Sequence, residues 1–273
     1  MPNPNIIRRI LLSDTADAFD ANAQSFITAA GITNVAQQNA INALVIDLKN
    51  NNLWSLMLAI YPFVGASETS HKYNLKNPLD SDAAYRLSFV GGWTHDSNGA
   101  KPNGTTGYAN TFLLSNSLTV NDFHFSFYNR TNVTEASVDI GANTGITDRM
   151  LMYVSYPTDT TIIDAYDTTD TAGRIIVANG GNKGFFIASR ESSTIMRAYK
   201  NSTNLQNTNL ATVGTAPNLK LYIGALNNSG TADSFSTKNC AFATIGSSLQ
   251  SAVNILALNT AVQTFNTSLS RNV

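Results

Sequence analysis

The sequence predicts a mainly β protein, a two-sheet sandwich or jelly roll, with two helices before it and one after it. Three observations carry this prediction. From about residue 59 to residue 243 the apolar positions recur with a period of two, in about a dozen short runs. Turn-forming clusters separate the runs, among them Asn179-Gly180-Gly181, Thr171-Ala172-Gly173 and Asn227-Asn228-Ser229-Gly230. Alternating βα units are absent, which argues against a parallel doubly wound sheet.

The elements follow in chain order. Asp14 is placed to cap a helix that runs to about residue 30, where Gly31 supplies a stop. Its apolar positions Ala18, Phe19, Ala23, Phe26, Ile27 and Ala30 recur at three- and four-residue steps. Asn34 with Gln37 forms a capping-box pattern for a second helix, whose apolar face is Ile41, Leu44, Val45 and Leu48 and which ends at Asn50-Asn51-Asn52. Residues 53–58 add a short helical turn. The predicted strands are 59–64, 72–75, 85–90, 123–128, 136–140, 150–156, 161–166, 175–178, 184–189, 194–200, 219–225 and 239–244. A last helix covers about 248–269, with Ser247 and Gln250 as its capping box and Leu249, Val253, Leu256, Ala261, Val262, Phe265 and Leu269 as its apolar stripe. The division expected is therefore 1–58 helical, 59–244 sandwich, and 245–273 a helix packed on the sandwich or on a neighbouring subunit.

Composition narrows the function. Charged residues make up 13 % of the 273 positions, about half the usual share for soluble domains, and the formal net charge is −1. The polar positions go to Asn, Thr and Ser, which suit strands, turns and neutral hydrogen bonding. No Lys/Arg cluster offers a grip on a phosphate backbone, so nucleic acid is not an expected partner. No apolar run approaches the roughly 20 residues of a membrane span. The opening MPNPNIIRRILLSDTADAF lacks the long apolar core of a secretory leader. One cysteine, Cys240, permits no internal disulfide and no cysteine-based zinc site; its expected place is a buried position on a strand.

The stretch 91–112, GGWTHDSNGAKPNGTTGYANTF, reads as an ordered surface loop on the β scaffold. Its five glycines and its proline loosen the backbone, while Trp93, Tyr108 and Phe112 argue for order. Carbohydrate recognition needs an aromatic face for the sugar ring and polar side chains for its hydroxyls. Trp93, His95, Asp96, Asn98, Asn103 and Tyr108 are the candidates for such a site, together with Arg130 and Arg190, each at a strand end. Trp93 also has the size to plug the end of a sandwich, the commoner fate of a large aromatic.

Bond-breaking chemistry finds little support. A glycan hydrolase needs two carboxyl groups about 5–5.5 Å or about 6.5–9.5 Å apart. Glu135 and Asp139 share a face if 135–139 is a strand, but four extended steps separate them by about 13 Å. His95-Asp96-Ser97 holds the residue types of a triad, yet triad members come from separate segments. His124, between Phe123 and Phe125, is expected on a solvent face or hydrogen-bonded. No catalytic residue and no resident metal is assigned. Calcium is the one cofactor left open, at Asp159, Asp164, Asp167 and Asp170.

Several long runs carry a family likeness: NNLWSLMLAIYPFVG, HKYNLKNP, AYRLSFVGGWTHDSNGAKPNGTTGYANTF, CAFATIG and AVQTFNTSLSRNV. They resemble a set of proteins encoded by tailed bacteriophages, whose central part is similar to a concanavalin A-like, or laminin G-like, jelly roll. The likeness covers about residues 26–273. It implies a structural protein of the virion, made in the bacterial cytoplasm: part of a fibre, a decoration protein or a receptor-binding tip. It also implies other virion proteins as partners, a homo-oligomer such as a trimer, and attachment to a host-surface glycan. A host-glycan adhesin is the alternative main activity, and a polysaccharide depolymerase the third. The chain departs from metal-dependent lectins in lacking their Asp/Asn/His cluster, and from jelly-roll glucanases in lacking an E-x-D-x-E alternation.

Overall fold

Helix α1 (Ala21–Ala29) begins where the Asp20 carboxylate accepts the Asn22 N–H, and α2 (Val35–Asn50) begins where the Asn34 side chain accepts the Gln37 N–H. The computed structural model describes residues 18–145, 148–166, 174–209 and 214–273. The expected cap Asp14 lies outside the described residues, as does the turn Thr171-Ala172-Gly173. The Asn34 cap matches the sequence expectation. A short 3₁₀ turn (Trp54–Leu56) then leads into the β region, also as expected.

The strands are β1 (Met57–Tyr61), β2 (Ser88–Val90), β3 (Trp93–Asp96), β4 (Gly99–Pro102), β5 (Tyr108–Leu114), β6 (Phe123–Asn129), β7 (Ile140–Asn143), β8 (Arg149–Tyr156) and β9 (Thr160–Ala165). They continue as β10 (Ile175–Ala178), β11 (Gly184–Arg190), β12 (Ile195–Lys200), β13 (Thr203–Asn209), β14 (Lys220–Ile223), β15 (Leu226–Asn228), β16 (Thr231–Asp233) and β17 (Cys240–Gly246). A four-residue helix, α3 (Glu68–His71), lies between β1 and β2, and α4 (Ala252–Ser268) closes the chain.

Two sheets face each other. The first has the order β13-β12-β11-β6-β17-β4-β3, with β1 also on β17; the second has the order β10-β9-β8-β7-β14-β5-β2, with the β15–β16 hairpin attached to β7. All pairings are antiparallel except β15 with β7. The expected sandwich is therefore present.

One core lies between the sheets, with Phe123, Phe125, Phe127, Phe186, Met150, Met152 and Ile245 inside it. A second core lies on the outer side of the first sheet. Tyr128, Phe185, Ile187 and Phe242 pack there against Phe26, Ile41, Leu44, Val45, Leu48, Ile255, Leu258, Val262 and Phe265 of the helices. The helices thus form a third layer on one face only. For this reason β6, β11 and β17 are buried along their whole length.

Several expectations are corrected. Residues 72–75 form no strand: the Asn74 side chain does the work of one, accepting the N–H of Ile60 at 2.9 Å and donating to the carbonyls of Leu58 and Ala84. Residues 91–112 are not one loop but hold β3, β4 and the start of β5, a glycine-punctuated hairpin that extends the first sheet and then crosses to the second. Residues 136–139 are irregular and the strand starts at Ile140. The last helix is capped by Ser251, not Ser247, because the Ser251 hydroxyl accepts the Asn254 N–H while Gln250 turns the chain with φ of 61°. Ala261, Val262 and Phe265 of the predicted stripe are buried, as are Ile255 and Leu258, whereas Val253 is 74 % exposed and Leu256 is exposed as well.

His124 is fully buried rather than on a solvent face. Its ring bonds the Ser247 carbonyl and the Thr244 hydroxyl, which in turn meets the Ser126 hydroxyl at 2.6 Å. This polar ladder lies between β6 and β17 beneath the helical layer. Cys240 is buried on a strand, as its residue type suggested.

Candidate functional site

The eight candidate residues do not form one site. Trp93 and His95 lie on β3, Asp96 and Asn98 at the β3–β4 turn, Asn103 on the way to β5, and Tyr108 at the start of β5 in the opposite sheet. The Asp96 carboxylate accepts the Asn98 N–H at 2.7 Å and fixes the hairpin turn. Asn98 is met by the Arg130 guanidinium, whose Nε also donates to the Arg271 carbonyl at 2.6 Å. Asn103 spends its carboxamide oxygen on the N–H groups of Thr105, Thr106 and Gly107, so it is a turn-former rather than a free ligand group. Tyr108 stacks on Tyr222 with ring centroids 4.4 Å apart. Arg190 leaves the set altogether: it is fully buried and donates to the carbonyls of Ala165, Ser192 and Ser193.

Trp93 is tied inward. Its indole N–H points at the carbonyls of Val90 and Tyr108, and its ring meets Phe89 edge-on at 5.0 Å and stacks on His95 at 6.1 Å. Gly224, at φ of 84°, lies against the far rim of the indole, where an added Cβ would stand 3.0 Å from Cη2. Trp93 and Asn103 do line a shallow cleft of about 370 Å³ with Thr94, Lys101, Pro102 and Thr237. Its aromatic ring is partly buried and packs against the core between the sheets.

His95 faces His71, with Nδ1 to Nδ1 at 3.0 Å, inside a ring of Phe63, Phe89 and Trp93. One nitrogen must carry the proton and the other the lone pair, so the accepting ring is neutral. Burial, the neighbouring His95 and Arg271 push His71 down to about 3, and burial pushes His95 down as well. The pair is a buried contact with no nucleophile beside it, which removes His95-Asp96-Ser97 as a triad.

The acids are arranged differently from the extended-strand expectation. Glu135 and Asp139 are not about 13 Å apart, because residues 135–139 fold around one ammonium. Lys238 Nζ lies 3.2 Å from Glu135 Oε1 and 3.5 Å from Asp139 Oδ2, and the Ser236 hydroxyl touches both carboxylates. Asp139 and Lys238 are fully buried. Burial works to raise Glu135, but the Thr237 N–H, the Lys238 charge and the hydroxyls of Thr237 and Ser137 outweigh it and hold the carboxyl down to about 2. Burial pushes Asp139 above the usual carboxylate range. Asp139 faces the interior, whereas Glu135 is only partly buried.

Of the four acids considered for calcium, Asp167 and Asp170 lie outside the described residues. Asp164 is fully buried and bound in a fork by Arg174 at 2.8 and 2.7 Å, with Arg149 at 3.1 Å. Asp159 accepts the Thr134 hydroxyl. Asp164 therefore has its charge already matched by arginine, which leaves it poorly suited to a cation.

A further groove was missed in the sequence. Among the described residues no helix packs on the outer face of the second sheet, and at its β8–β9–β10 side lies a groove of about 470 Å³. Tyr153, Tyr156, Thr158, Thr160, Arg174 and Ile176 line it. Tyr153 and Tyr156 meet edge to face at 5.3 Å, giving an L-shaped aromatic wall. Three residues apart, they would point to opposite faces of a regular strand. The β8–β9 register shifts between them, and this irregularity coincides with their convergence on one groove. The tight β8–β9 turn, with Thr158 at φ 83° and Asp159 at φ 53°, closes one end. Ile162 and Ile176 form an apolar floor beside the Arg174 guanidinium, while burial pushes the Tyr153 hydroxyl up, so it stays a neutral donor and acceptor. The groove combines aromatic faces, hydroxyls and a guanidinium, the mixture that binds polyhydroxylated ligands.

No protein-family model matches the chain, and no curated protein sequence does. Solved structures do match in fold. A mutant of Trypanosoma rangeli sialidase displaying trans-sialidase activity aligns over 85 % of this chain and 40 % of its own, with a TM-score of 0.54 at 11 % identity. The botulinum neurotoxin serotype D binding domain aligns over 76 % of this chain and 52 % of its own, at 0.53 and 10 %. A botulinum neurotoxin type C structure, described as depending on two ganglioside molecules to get into cells, aligns over 78 % and 52 %, at 0.53 and 11 %. The chain spans about half or less of the length of these proteins. The likeness establishes a jelly-roll sandwich of the kind the alternating sequence pattern predicted. Among the described residues no helix is long and apolar enough to cross a membrane.

Proposed function

We propose that this chain is a glycan-binding module without catalytic activity, carried on a bacteriophage particle and used in attachment to the host surface. The observation that carries the binding reading is the asymmetry of the sandwich. Helices cover the outer face of one sheet, whereas among the described residues no helix covers that of the other, which bears the Tyr153–Tyr156 groove. A sugar ring stacked on one tyrosine would present its hydroxyls to Thr158, Thr160 and the Arg174 guanidinium. The fold is shared with a neurotoxin that meets gangliosides, but at 11 % identity that likeness concerns the fold, so the reading rests on the groove. The phage setting rests on the sequence resemblance. The non-catalytic reading is supported by the pairing of Glu135 and Asp139 with one buried ammonium, Lys238, and by their absence from the groove lining.

The test is retention of the full chain on host-cell polysaccharides and a glycan array. Tyr153→Ala and Tyr156→Ala should each weaken retention at least tenfold, equivalent to about 1.4 kcal/mol, with an unchanged melting temperature. No retention by the wild type, or equal retention by both variants, refutes the binding reading. Release of reducing ends from a retained polysaccharide refutes the non-catalytic one. Absence of the chain from washed particles refutes the virion setting.

A further inference from the structure

The Lys238 cluster has a property that a structural ion pair does not need. Lys238 is fully buried just before β17 of the first sheet, and Asp139 is fully buried just before β7 of the second. Nζ stands 3.5 Å from Asp139 Oδ2, and Glu135 Oε1 stands 3.2 Å from the same nitrogen. Both Asp139 oxygens are held by donors: Oδ2 by the Val154 N–H at 2.8 Å and Oδ1 by the Ser236 hydroxyl at 2.7 Å. That hydroxyl also lies 3.2 Å from Glu135 Oε1, so Ser236 bridges the two carboxyl groups. The segments are pinned side by side by the Val138 N–H on the Ser234 carbonyl.

We propose that Lys238 and Asp139 join spontaneously in an isopeptide bond that ties the two sheets together. One proton passes from the ammonium to the Asp139 carboxylate, which leaves an amine facing a neutral carboxyl group. Exclusion of water favours that neutral pair, and burial already pushes Asp139 upward. Nζ adds to Cγ. The Nζ–Cγ bond forms, and the negative charge gathers on Oδ2, where the Val154 N–H stabilises it as an oxyanion donor does. Glu135 accepts a proton from the attacking nitrogen and passes it through the Ser236 hydroxyl to Oδ1. The Cγ–Oδ1 bond breaks and Oδ1 departs as water. Of the three protons on the original ammonium, one stays on the amide nitrogen and two leave with the water. No oxidant, metal or cofactor enters the balance.

The bond would join positions 99 residues apart in the chain (238 − 139) and would bridge the core at one end. Cross-links that close long loops restrict the unfolded chain most.

The experiment is the intact mass of the purified full chain, with a peptide map after denaturation and digestion. The expected result is a chain lighter by one water than its sequence, and a branched peptide in which Lys238 is joined to Asp139. Lys238→Met and Glu135→Gln should each have the full sequence mass and yield the two peptides separately. The wild type is itself the decisive sample, so a variant that fails to fold does not spoil the test. A wild-type chain at full mass overturns the proposal, as does a water loss that maps to any other residue.

Discussion

Lowering the pH from 7 to 5 should destabilise the fold, and two histidines set the size of the effect. His124 and His71 are both buried, and burial pushes them from the ordinary 6.5 down to about 4 and about 3. At pH 7 each ring is neutral whether the chain is folded or not. As the pH falls below 6.5 the unfolded chain takes up a proton at each site that the folded chain refuses, so stability is present above 6.5 and is lost on acidification. Each such proton contributes about 1.4 kcal/mol per pH unit. Integrated from pH 7 to pH 5, the loss is roughly 2 kcal/mol for each histidine and roughly 4 kcal/mol for both. Urea unfolding followed by tryptophan fluorescence is a suitable assay. With a slope of about 2–3 kcal/mol/M the midpoint should fall by about 1.3–2 M between pH 7 and pH 5. His124→Asn keeps a donor towards the Ser247 carbonyl, lowers stability at pH 7, and should remove about half of the pH dependence. A midpoint that stays level from pH 7 to pH 5, or a His124→Asn protein with the full wild-type slope, would refute the reasoning.

Trp93→Ala should cost about 2–4 kcal/mol of stability, by loss of packing against Phe89, His95 and Gly224, yet leave glycan retention unchanged in protein that remains folded; thermal melts and retention assays measured side by side check this. Arg271→Ala should be among the most damaging single changes. It strips the carbonyls of Pro62, Phe63 and Ala241 of their donors, and at about 1–3 kcal/mol for each buried acceptor left unpaired the loss should reach at least about 3 kcal/mol. Arg271→Lys should recover only part of it in urea titrations, because an ammonium cannot span the three carbonyls as a guanidinium does.

The parts of the fold that could be read in the sequence are those where local pattern and tertiary role agree. Alternation in FHFSFYN places Phe123, Phe125 and Phe127 between the sheets, and the strand edges of β6, β8, β10, β11 and β12 fall within a residue or so of the reading. Asn34 announces its helix because the cap is a local hydrogen bond. What could not be read depends on partners far along the chain. The hairpin β3–β4 looks like a loop because its strands are short and end in glycines, and it counts as sheet only through Cys240 pairing with Ala100. Glu135 and Asp139 read as distant because strand geometry was assumed for a segment that bends around Lys238, 99 positions beyond Asp139 in the sequence. The Tyr153–Tyr156 groove carries no periodic signal at all, since it depends on a register shift that the residue types do not announce. Arg190 shows the reverse error: an arginine at a strand end looked available, but three backbone carbonyls enclose it.

The place for recognition follows from how the two sheets spend their outer faces. A sandwich has two such faces, and a chain with few charges must either cover a face or make it polar enough for water. On the first sheet the strands β6, β11 and β17 direct Tyr128, Phe185, Ile187 and Phe242 outward, an apolar surface that only a further layer can satisfy, and α1, α2 and α4 supply it. His124, Ser126 and Thr244 are sealed beneath that layer and bonded to one another, so nothing there is left to meet a ligand. On the second sheet the outward positions are mixed: Asp164 with its arginines, Tyr222 under Tyr108, and Tyr153 beside Ile162 and Ile176. Such a face is stable in water without a cover, and its aromatic and hydroxyl groups stay accessible. The glycine-rich stretch 91–112, which seemed the natural recognition loop, instead adds strands to the edge and turns Trp93 inward. The proposed ligand contact therefore falls to the sheet on which, among the described residues, no helix packs, where an irregular strand brings two tyrosines together.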